Sequence, residues 1–358
     1  MTRLSKAPAS YGVSYQGSKN KIAAEVVYNI PSAPLLIDVF AGGGAITHAA
    51  LLSHRFGSIL ANDYDCGALQ LFYRASHGLI DFEEERKRWV SREDFKRLKD
   101  TDPIVRYHWS FSNGGINYLY SKEIEPYKRA YHFARNCNDR TEWNAIGFEK
   151  VEPTRLSIRD HAEEIKDIYI RWWHKHNRDE GDSEALKLRI SLLSLESLES
   201  LESLQSLQRL QRLQRLESLQ SLQRLQRLQS LTISKADYKD IFVSEPTTVI
   251  YCDPPYINCD PSIYKDAIRE SGFNHAEFYD WCEAQKGLVV LSEYTAPADR
   301  FTCVWSKEKR VLAGGAKYQI TKVERLFVVK GHEDDYWDLM AAHKPSTLFD
   351  QDQRQAMI

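Results

Sequence analysis

The stretch Val249–Tyr256, with the sequence VIYCDPPY, decides how the rest of the chain is interpreted. It begins as an apolar, β-branched run and ends in a carboxylate, two prolines and an aromatic ring. Because proline donates no backbone hydrogen bond, the prolines cannot continue a central strand. We therefore predict a buried strand that opens at its carboxyl end into a rigid loop. Ligands bind at this edge in open α/β sheets.

Three groups of the loop point to the kind of ligand it holds. Asp253 is an acceptor, Pro254 offers a fixed backbone carbonyl, and Tyr256 presents an aromatic face. The two acceptors match the two N–H bonds of an exocyclic amino group, and the ring can stack on a flat heterocycle. The loop therefore predicts a site for an amino-substituted heterocycle.

A glycine turn near the amino terminus predicts a second ligand. Residues 35–40 form a short β-like run, Gly42, Gly43 and Gly44 follow, and a helical pattern continues to about Ser53. Strand, glycine turn and helix form the unit that cradles nucleotides. The dinucleotide fingerprint needs a third glycine where this chain has Thr47, which disfavours a dehydrogenase. In isolation the pattern also fits a tight turn without a ligand.

Two neighbouring features support a nucleoside site. Residues 58–63 predict a second strand that ends in Asp63, about 20 residues beyond the glycine turn, where an acid binds ribose hydroxyls. Upstream, Gly17 and Ser18 open a helix and Lys19 adds a positive charge, so the three could hold a ligand carboxylate. Taken alone, that second motif is more simply an ordinary helix cap with Ser18 as its N-cap.

Composition limits the class of protein. The 358 residues, 42% hydrophobic and 11% aromatic, indicate a globular chain of one large domain or two. No run predicts a membrane span or a signal peptide. The net charge of −2 excludes a uniformly basic nucleic-acid binder, so a nucleic-acid surface must be local. We interpret the scattered cysteines as reduced cytosolic thiols and expect no metal: Cys66, Cys137, Cys252, Cys259, Cys282 and Cys303.

The middle of the chain contains two unlike segments. Residues 101–190 interleave aromatic and basic side chains, a pattern that suits phosphate contacts and base stacking but also fits an aromatic helical subdomain. Residues 191–231 are of low complexity, and leucine occupies every third position from Leu195 to Leu231. We interpret this repeat as a helical or solenoid-like spacer arm. Self-association through it, DNA contact through its arginines, and repeat expansion without a function all stay open.

Taken together, the motifs resemble those of the DNA adenine methyltransferases, in particular the Dam-like D12 group with the α order of motifs. Residues 15–19, YQGSK, look like the amino-terminal methionine-binding motif, and residues 40–44, FAGGG, match the family's F-x-G-x-G. Asp63 stands at the ribose acid, and residues 253–256 match the catalytic D-P-P-Y. Residues 111–118 look like part of the recognition domain.

The resemblance implies an α/β fold: a Rossmann-like S-adenosylmethionine-dependent methyltransferase sheet with a helical DNA-recognition insertion and the leucine-repeat arm. It implies methyl transfer from S-adenosylmethionine, with S-adenosylhomocysteine as product and no metal, to the amino group of an adenine flipped out of double-stranded DNA. The implied catalytic residues are Asp253, Pro254, Pro255 and Tyr256. The implied cofactor-binding residues are Tyr15, Gly17, Lys19, Phe40, Gly42, Gly44, Asp63 and Asp253. The expected DNA-binding residues are Asn113, Tyr118, Lys122, Lys128 and Arg129.

These interpretations divide the chain into a cofactor-binding part (1–100), a recognition insertion (101–190), the repeat (191–231), a catalytic part (232–344) and a tail (345–358). We expect a cytoplasmic, DNA-associated protein of a bacterial or phage-infected cell, without a membrane partner. Two alternatives remain at this point. One is an amino methyltransferase acting on RNA adenine or DNA cytosine, and the other is an assembly protein with a vestigial methyltransferase core.

Overall fold

The computed structural model describes most of the chain outside its central and terminal segments. The described residues are 11–13, 18–65, 67–111, 114–120, 122, 125–146, 149, 219–220, 222, 231–255, 273–312 and 319–342. Four predicted site residues lie outside these ranges: Tyr15, Gly17, Asn113 and Tyr256. Most of the leucine repeat lies outside them too. Leu219 and Leu222, three positions apart, are among its described residues, and both are buried.

Seven strands and ten α-helices follow one another in the described part of the chain. The strands are β1 (Ala33–Asp38), β2 (Phe56–Asn62), β3 (Leu231–Ser234), β4 (Thr248–Cys252), β5 (Leu288–Glu293), β6 (Phe301–Leu312) and β7 (Gln319–Val329). The helices are α1 (Ala23–Tyr28), α2 (Ala45–Ser53), α3 (Gly67–Ser76), α4 (Phe82–Lys87), α5 (Arg92–Leu98), α6 (Pro103–His108), α7 (Glu125–Asn136), α8 (Thr141–Ala145), α9 (His275–Ala284) and α10 (Glu333–Ala341).

All seven strands form one sheet in the order β3-β2-β1-β4-β5-β7-β6. Strands β1 to β5 pair in parallel, whereas β7 pairs antiparallel with both β5 and β6. Strand β2 pairs with one edge of β1, and β4, which comes later in the chain, pairs with the other edge. The order of strands therefore reverses between β1 and β4, which is where open α/β sheets bind ligands. The predicted Rossmann-like α/β fold is confirmed.

Strand β4 is central because its sequence can be buried on both faces. All five of its residues are buried, and it pairs with β1 through Ile37↔Ile250 and with β5 through Ile250↔Val289. A continuous apolar, β-branched run of this kind is typical of parallel strands covered on both faces. The register places Tyr251 beside Asp38, so the residues after β4 emerge next to those that follow β1.

Local structure departs from the sequence pattern in a few places. The region 66–100 contains three separate helices, because Asp81 and Ser91 act as N-caps and start α4 and α5. The run Ile241–Val243 is not a strand. The terminal hairpin is longer than the apolar runs indicate, since β6 and β7 stay paired through the charged residues 307–310.

Contacts between residues divide the chain into two compact units. The first comprises Met1–Leu79, Ser112–Gly114 and Ser221–Ile358, and it contains the sheet. The second comprises Ile80–Phe111 and Gly115–Gln220, and its described part is helical with an apolar core around Phe95, Trp109 and Tyr118. The second unit therefore begins at Ile80, ahead of residue 101 where the aromatic and basic composition starts.

Candidate active site

The glycine turn after β1 is held by the acid that follows β2. The backbone N–H of Gly42 donates to Oδ2 of Asp63 at 2.8 Å, and the other carboxylate oxygen accepts from the N–H of Asp65 at 3.0 Å. Gly44 has φ +71°, and an added Cβ would lie 2.8 Å from the Phe72 ring. A side chain is therefore excluded at Gly44 both by backbone conformation and by space. The turn and Asp63 form one structural unit, as the sequence predicts.

Asp38, the last residue of β1 before this turn, is a buried carboxylate that the sequence analysis did not single out. Its Oδ2 accepts from the hydroxyl of Thr47 at 2.7 Å. Burial raises the pKa of Asp38 to about 7, and the charges of Asp253 and Asp63 push it in the same direction. These three carboxylates therefore influence one another at the carboxyl edge of the sheet. Thr47, the residue that breaks the dinucleotide fingerprint, binds this acid.

Aromatic rings surround the start of the glycine turn. Phe40 is partly buried and packs edge-on against Phe278 at a centroid distance of 5.5 Å, with Tyr238 and Phe273 at 5.8 and 5.9 Å. A separate cavity of about 250 Å³ is lined by residues that are sequence neighbours of Asp63 and Tyr238. These residues are Tyr64, Asp65, Lys235, Ala236 and Asp237. Sequence reasoning missed the residues after β3, because their pattern is that of an ordinary loop.

The loop after β4 begins with Asp253, whose side chain is 19% exposed, followed by the buried Pro254. The carbonyl oxygen of Pro255 lies 2.9 Å from Nε2 of His275, at the start of α9. With the proton on Nε2, His275 donates to this carbonyl and ties the loop to the helix. The structure therefore gives Asp253 the predicted position at the carboxyl end of a central strand, on a restrained backbone.

Lys19 contacts Asp253 directly. Its Nζ lies 3.0 Å from Oδ1 of Asp253 and 3.0 Å from Oε1 of Glu324 on β7. Lys19 is 8% exposed and Glu324 is 3% exposed, so this is a buried charge cluster. Burial opposes the charge on Lys19, but the two carboxylates outweigh it and raise the Lys19 pKa. Its ammonium is therefore placed to support Asp253, and binding of the cofactor's carboxylate by Lys19 stays a prediction.

Glu293, the last residue of β5, is a further acid at this edge. It is 1% exposed; Oε1 accepts from the N–H of Tyr294, while Oε2 has no hydrogen-bond partner among the described residues. Burial raises the Glu293 pKa to about 8, and Asp253 adds to the rise while Lys19 opposes it. Near neutral pH the Glu293 carboxyl is therefore mainly protonated, because burial disfavours its charged form.

In the second unit, the predicted DNA-binding residues fall into two groups. Tyr118 is buried in the core and donates its hydroxyl proton to the carbonyl of Val90 at 2.7 Å, and Lys128 is 6% exposed. Their burial favours a structural role, and DNA contact by these two residues stays a prediction. Lys122 is exposed, and so is Arg129, which pairs with Glu142 at 2.8 Å.

Comparison with known families assigns the amino-terminal part of this chain. Residues 15–162 match the family model of D12 class N6 adenine-specific DNA methyltransferases. The chain carries a D12-class adenine methyltransferase domain. The matched range includes the glycine turn, Asp63 and much of the second unit, whereas Asp253 lies beyond it. No individually curated protein matches the chain.

The assignment makes the chain an enzyme of adenine methylation in DNA and implies S-adenosylmethionine as donor. The methyltransferase's described residues contain no group of three or more His, Cys, Asp or Glu placed to hold a metal ion. Among those same residues, no helix has both the length and the apolar character to cross a membrane.

Proposed function

We propose that this methyltransferase domain transfers a methyl group to N6 of an adenine flipped out of duplex DNA, with Asp253 as the acceptor that orients the amino group. The observation that carries the proposal is the position of Asp253. It follows the central strand β4, its side chain is partly exposed, and the Lys19 ammonium lies 3.0 Å away. An ionised carboxylate on a restrained loop is the group needed to bind an amino nitrogen as it becomes positive.

The residues around the glycine turn fit S-adenosylmethionine. Gly42 has φ +53° and carries no side chain, and Asp63 is held beside it. The acids of this edge would also stabilise the positive sulfonium group of the cofactor. When bound, S-adenosylmethionine supplies an electrophilic methyl group. We assign ribose binding to Asp63, and the cavity by Asp65, Lys235 and Asp237 to the nucleoside. Tyr15 and Gly17 remain predicted contacts of the methionine part.

In the proposed mechanism the chain positions reactants and forms no covalent intermediate. Asp253 and the Pro254 carbonyl would accept hydrogen bonds from the two N–H groups of the adenine amino group and so orient its nitrogen lone pair for transfer. N6 gains the methyl group and loses one proton, and the donor leaves as S-adenosylhomocysteine. Tyr256 is the predicted stacking partner of the base. Alignment of reacting groups and fixed charges can each account for several kcal/mol of barrier lowering.

The decisive variant is Asp253→Ala. We expect methyl transfer to fall by about a hundredfold or more, because the acceptor for the amino group is lost. Cofactor binding should persist, since Asp63 and the glycine turn are untouched and Lys19 retains Glu324. The assay uses radiolabelled S-adenosylmethionine with unmethylated bacterial genomic DNA, and calorimetry measures cofactor affinity. Asp280→Ala, at an exposed position on α9, is the matched control. Undiminished transfer by Asp253→Ala would contradict the proposal.

Analysis of the methylated nucleosides tests the substrate. N6-methyladenine as the product is expected, whereas N4-methylcytosine or transfer to RNA would point to the alternative enzymes. For DNA binding we propose Lys122, Arg129 and, outside the described residues, Asn113. Self-association through residues 191–231 and a cytoplasmic location remain part of the proposal. Sedimentation of the full chain and of a chain lacking 191–230 tests the self-association.

A further inference from the structure

Glu324 is a buried carboxylate with no part in the mechanism described so far. It lies on β7, in the antiparallel part of the sheet, and is 3% exposed. Its Oε1 accepts two hydrogen bonds, from Nζ of Lys19 at 3.0 Å and from the hydroxyl of Ser292 at 3.0 Å. Removing a carboxylate from water is costly unless it is paired and hydrogen-bonded, and both conditions hold here.

The surroundings of Glu324 explain why a second carboxylate matters. Lys19 lies between Glu324 and Asp253, so one ammonium bridges two acids. Glu293 also faces this ammonium, while Asp38 and Tyr251 are coupled to Asp253 by charge. The neighbouring acids disfavour a negative charge on Asp253, and a cation held beside Asp253 favours it. Glu324 holds that cation through a second contact of 3.0 Å.

We propose that Glu324 is a positioning residue for methyl transfer, which fixes the Lys19 ammonium against Asp253 and so keeps the Asp253 carboxylate ionised and oriented toward the adenine amino group. The inference rests on the proposed function of Asp253. The effect of Glu324 passes through Lys19, and Ser292 stabilises the carboxylate in the orientation that reaches Lys19.

The test is Glu324→Gln, which preserves size and an acceptor oxygen but removes the charge. We expect kcat with unmethylated genomic DNA to fall about tenfold, the size of coupling seen within one charged network, with cofactor affinity unchanged. Loss of the neighbouring negative charge lowers the Lys19 pKa, so the alkaline fall in kcat should begin at a lower pH than in the parent enzyme. Glu308→Gln, at an exposed position on the same hairpin, is the matched control.

Dependence on Lys19 separates this role from a general structural one. With Lys19→Met as background, Glu324→Gln should cause no further loss in kcat, because the group through which it acts is absent. Additive losses, or an unchanged pH profile in Glu324→Gln, would overturn the proposal. If Glu324→Gln does not fold, Ser292→Ala replaces it. Because this variant loosens the Glu324 carboxylate but keeps its charge, a smaller loss in kcat and a smaller pH shift in the same direction are expected, and an unshifted profile counts against Glu324. Failure of the Asp253 assignment would appear separately, as transfer retained by Asp253→Ala.

Discussion

At the scale of single residues, this site is governed by which acids hold a proton. Glu293 has a pKa of about 8, and burial is the main cause. Asp38 has a pKa of about 7 for the same main reason. Asp253 differs from both because a lysine ammonium is in contact with it. At this sheet edge Glu293 and Asp38 therefore retain a proton at higher pH than exposed carboxyls do, whereas Asp253 lies in contact with a lysine ammonium.

The raised pKa of Glu293 makes stability depend on pH in a defined direction. Between about pH 4.5, where an exposed glutamate titrates, and about pH 8, the folded state retains a proton that the unfolded state has lost. Stability from this group is therefore greatest at low pH and declines as pH rises through this window. Glu293→Gln keeps a neutral side chain, so it should gain stability relative to the parent enzyme as pH rises. The gain should be complete above about pH 8.

Urea unfolding from pH 5 to pH 9 measures this difference. Asp38 titrates in both proteins, so its contribution cancels in the comparison. Glu308→Gln removes an exposed acid from β6 and serves as the control, with a curve parallel to that of the parent enzyme. A Glu293→Gln curve that is also parallel would show that Glu293 is ionised in the folded protein.

At the scale of elements, the turn between β1 and α2 is the most constrained connection of the site. Gly44→Ala places a Cβ 2.8 Å from the Phe72 ring at φ +71°. A non-glycine residue in this backbone region costs roughly 1–3 kcal/mol, and the clash adds to it. Gly331→Ala is the matched control, since Gly331 has φ +95° but nothing within 4 Å of an added Cβ. We expect the larger loss of unfolding free energy at Gly44, together with weaker cofactor binding at that position alone. Equal losses would show that Phe72 yields to the methyl group.

The elements also show what sequence can and cannot predict here. Strands β1, β2 and β4 are predicted from short apolar runs, because parallel strands buried on both faces need such runs. The link between the glycine turn and Asp63 is predicted from their separation in the sequence, which recurs in βαβ units. The contact of Lys19 with Glu324 was not predictable, because these residues are 305 positions apart in the sequence and only the folded chain brings them together.

At the scale of the whole molecule, charge decides how the enzyme meets DNA. The chain has a net charge of −2, so DNA is not attracted to the molecule as a whole. Affinity must come from a limited number of local phosphate contacts. Lys122 and Arg129 of the second unit are exposed, whereas Lys128 and Tyr118 are buried, so the first two are the residues to test for phosphate contacts. The salt dependence of binding then reports how many such contacts form.

Each phosphate contact lowers the slope of log affinity against log salt concentration by about 0.9 in duplex DNA. Lys122→Ala and Arg129→Ala should therefore each weaken binding and make the slope shallower by about 1, as measured by fluorescence anisotropy with a labelled duplex.

Glu142 competes with DNA for Arg129, since its Oε1 lies 2.8 Å from Nη2 of Arg129. Both side chains are exposed, so this ion pair is weak. Glu142→Gln should consequently strengthen DNA binding in the parent enzyme but not in the Arg129→Ala background. Lys330→Ala, an exposed position of the first unit after β7, is the control for loss of one positive charge. If Lys330→Ala changes the slope as much as Arg129→Ala does, the contacts are not specific to the second unit, and net charge alone accounts for the effect.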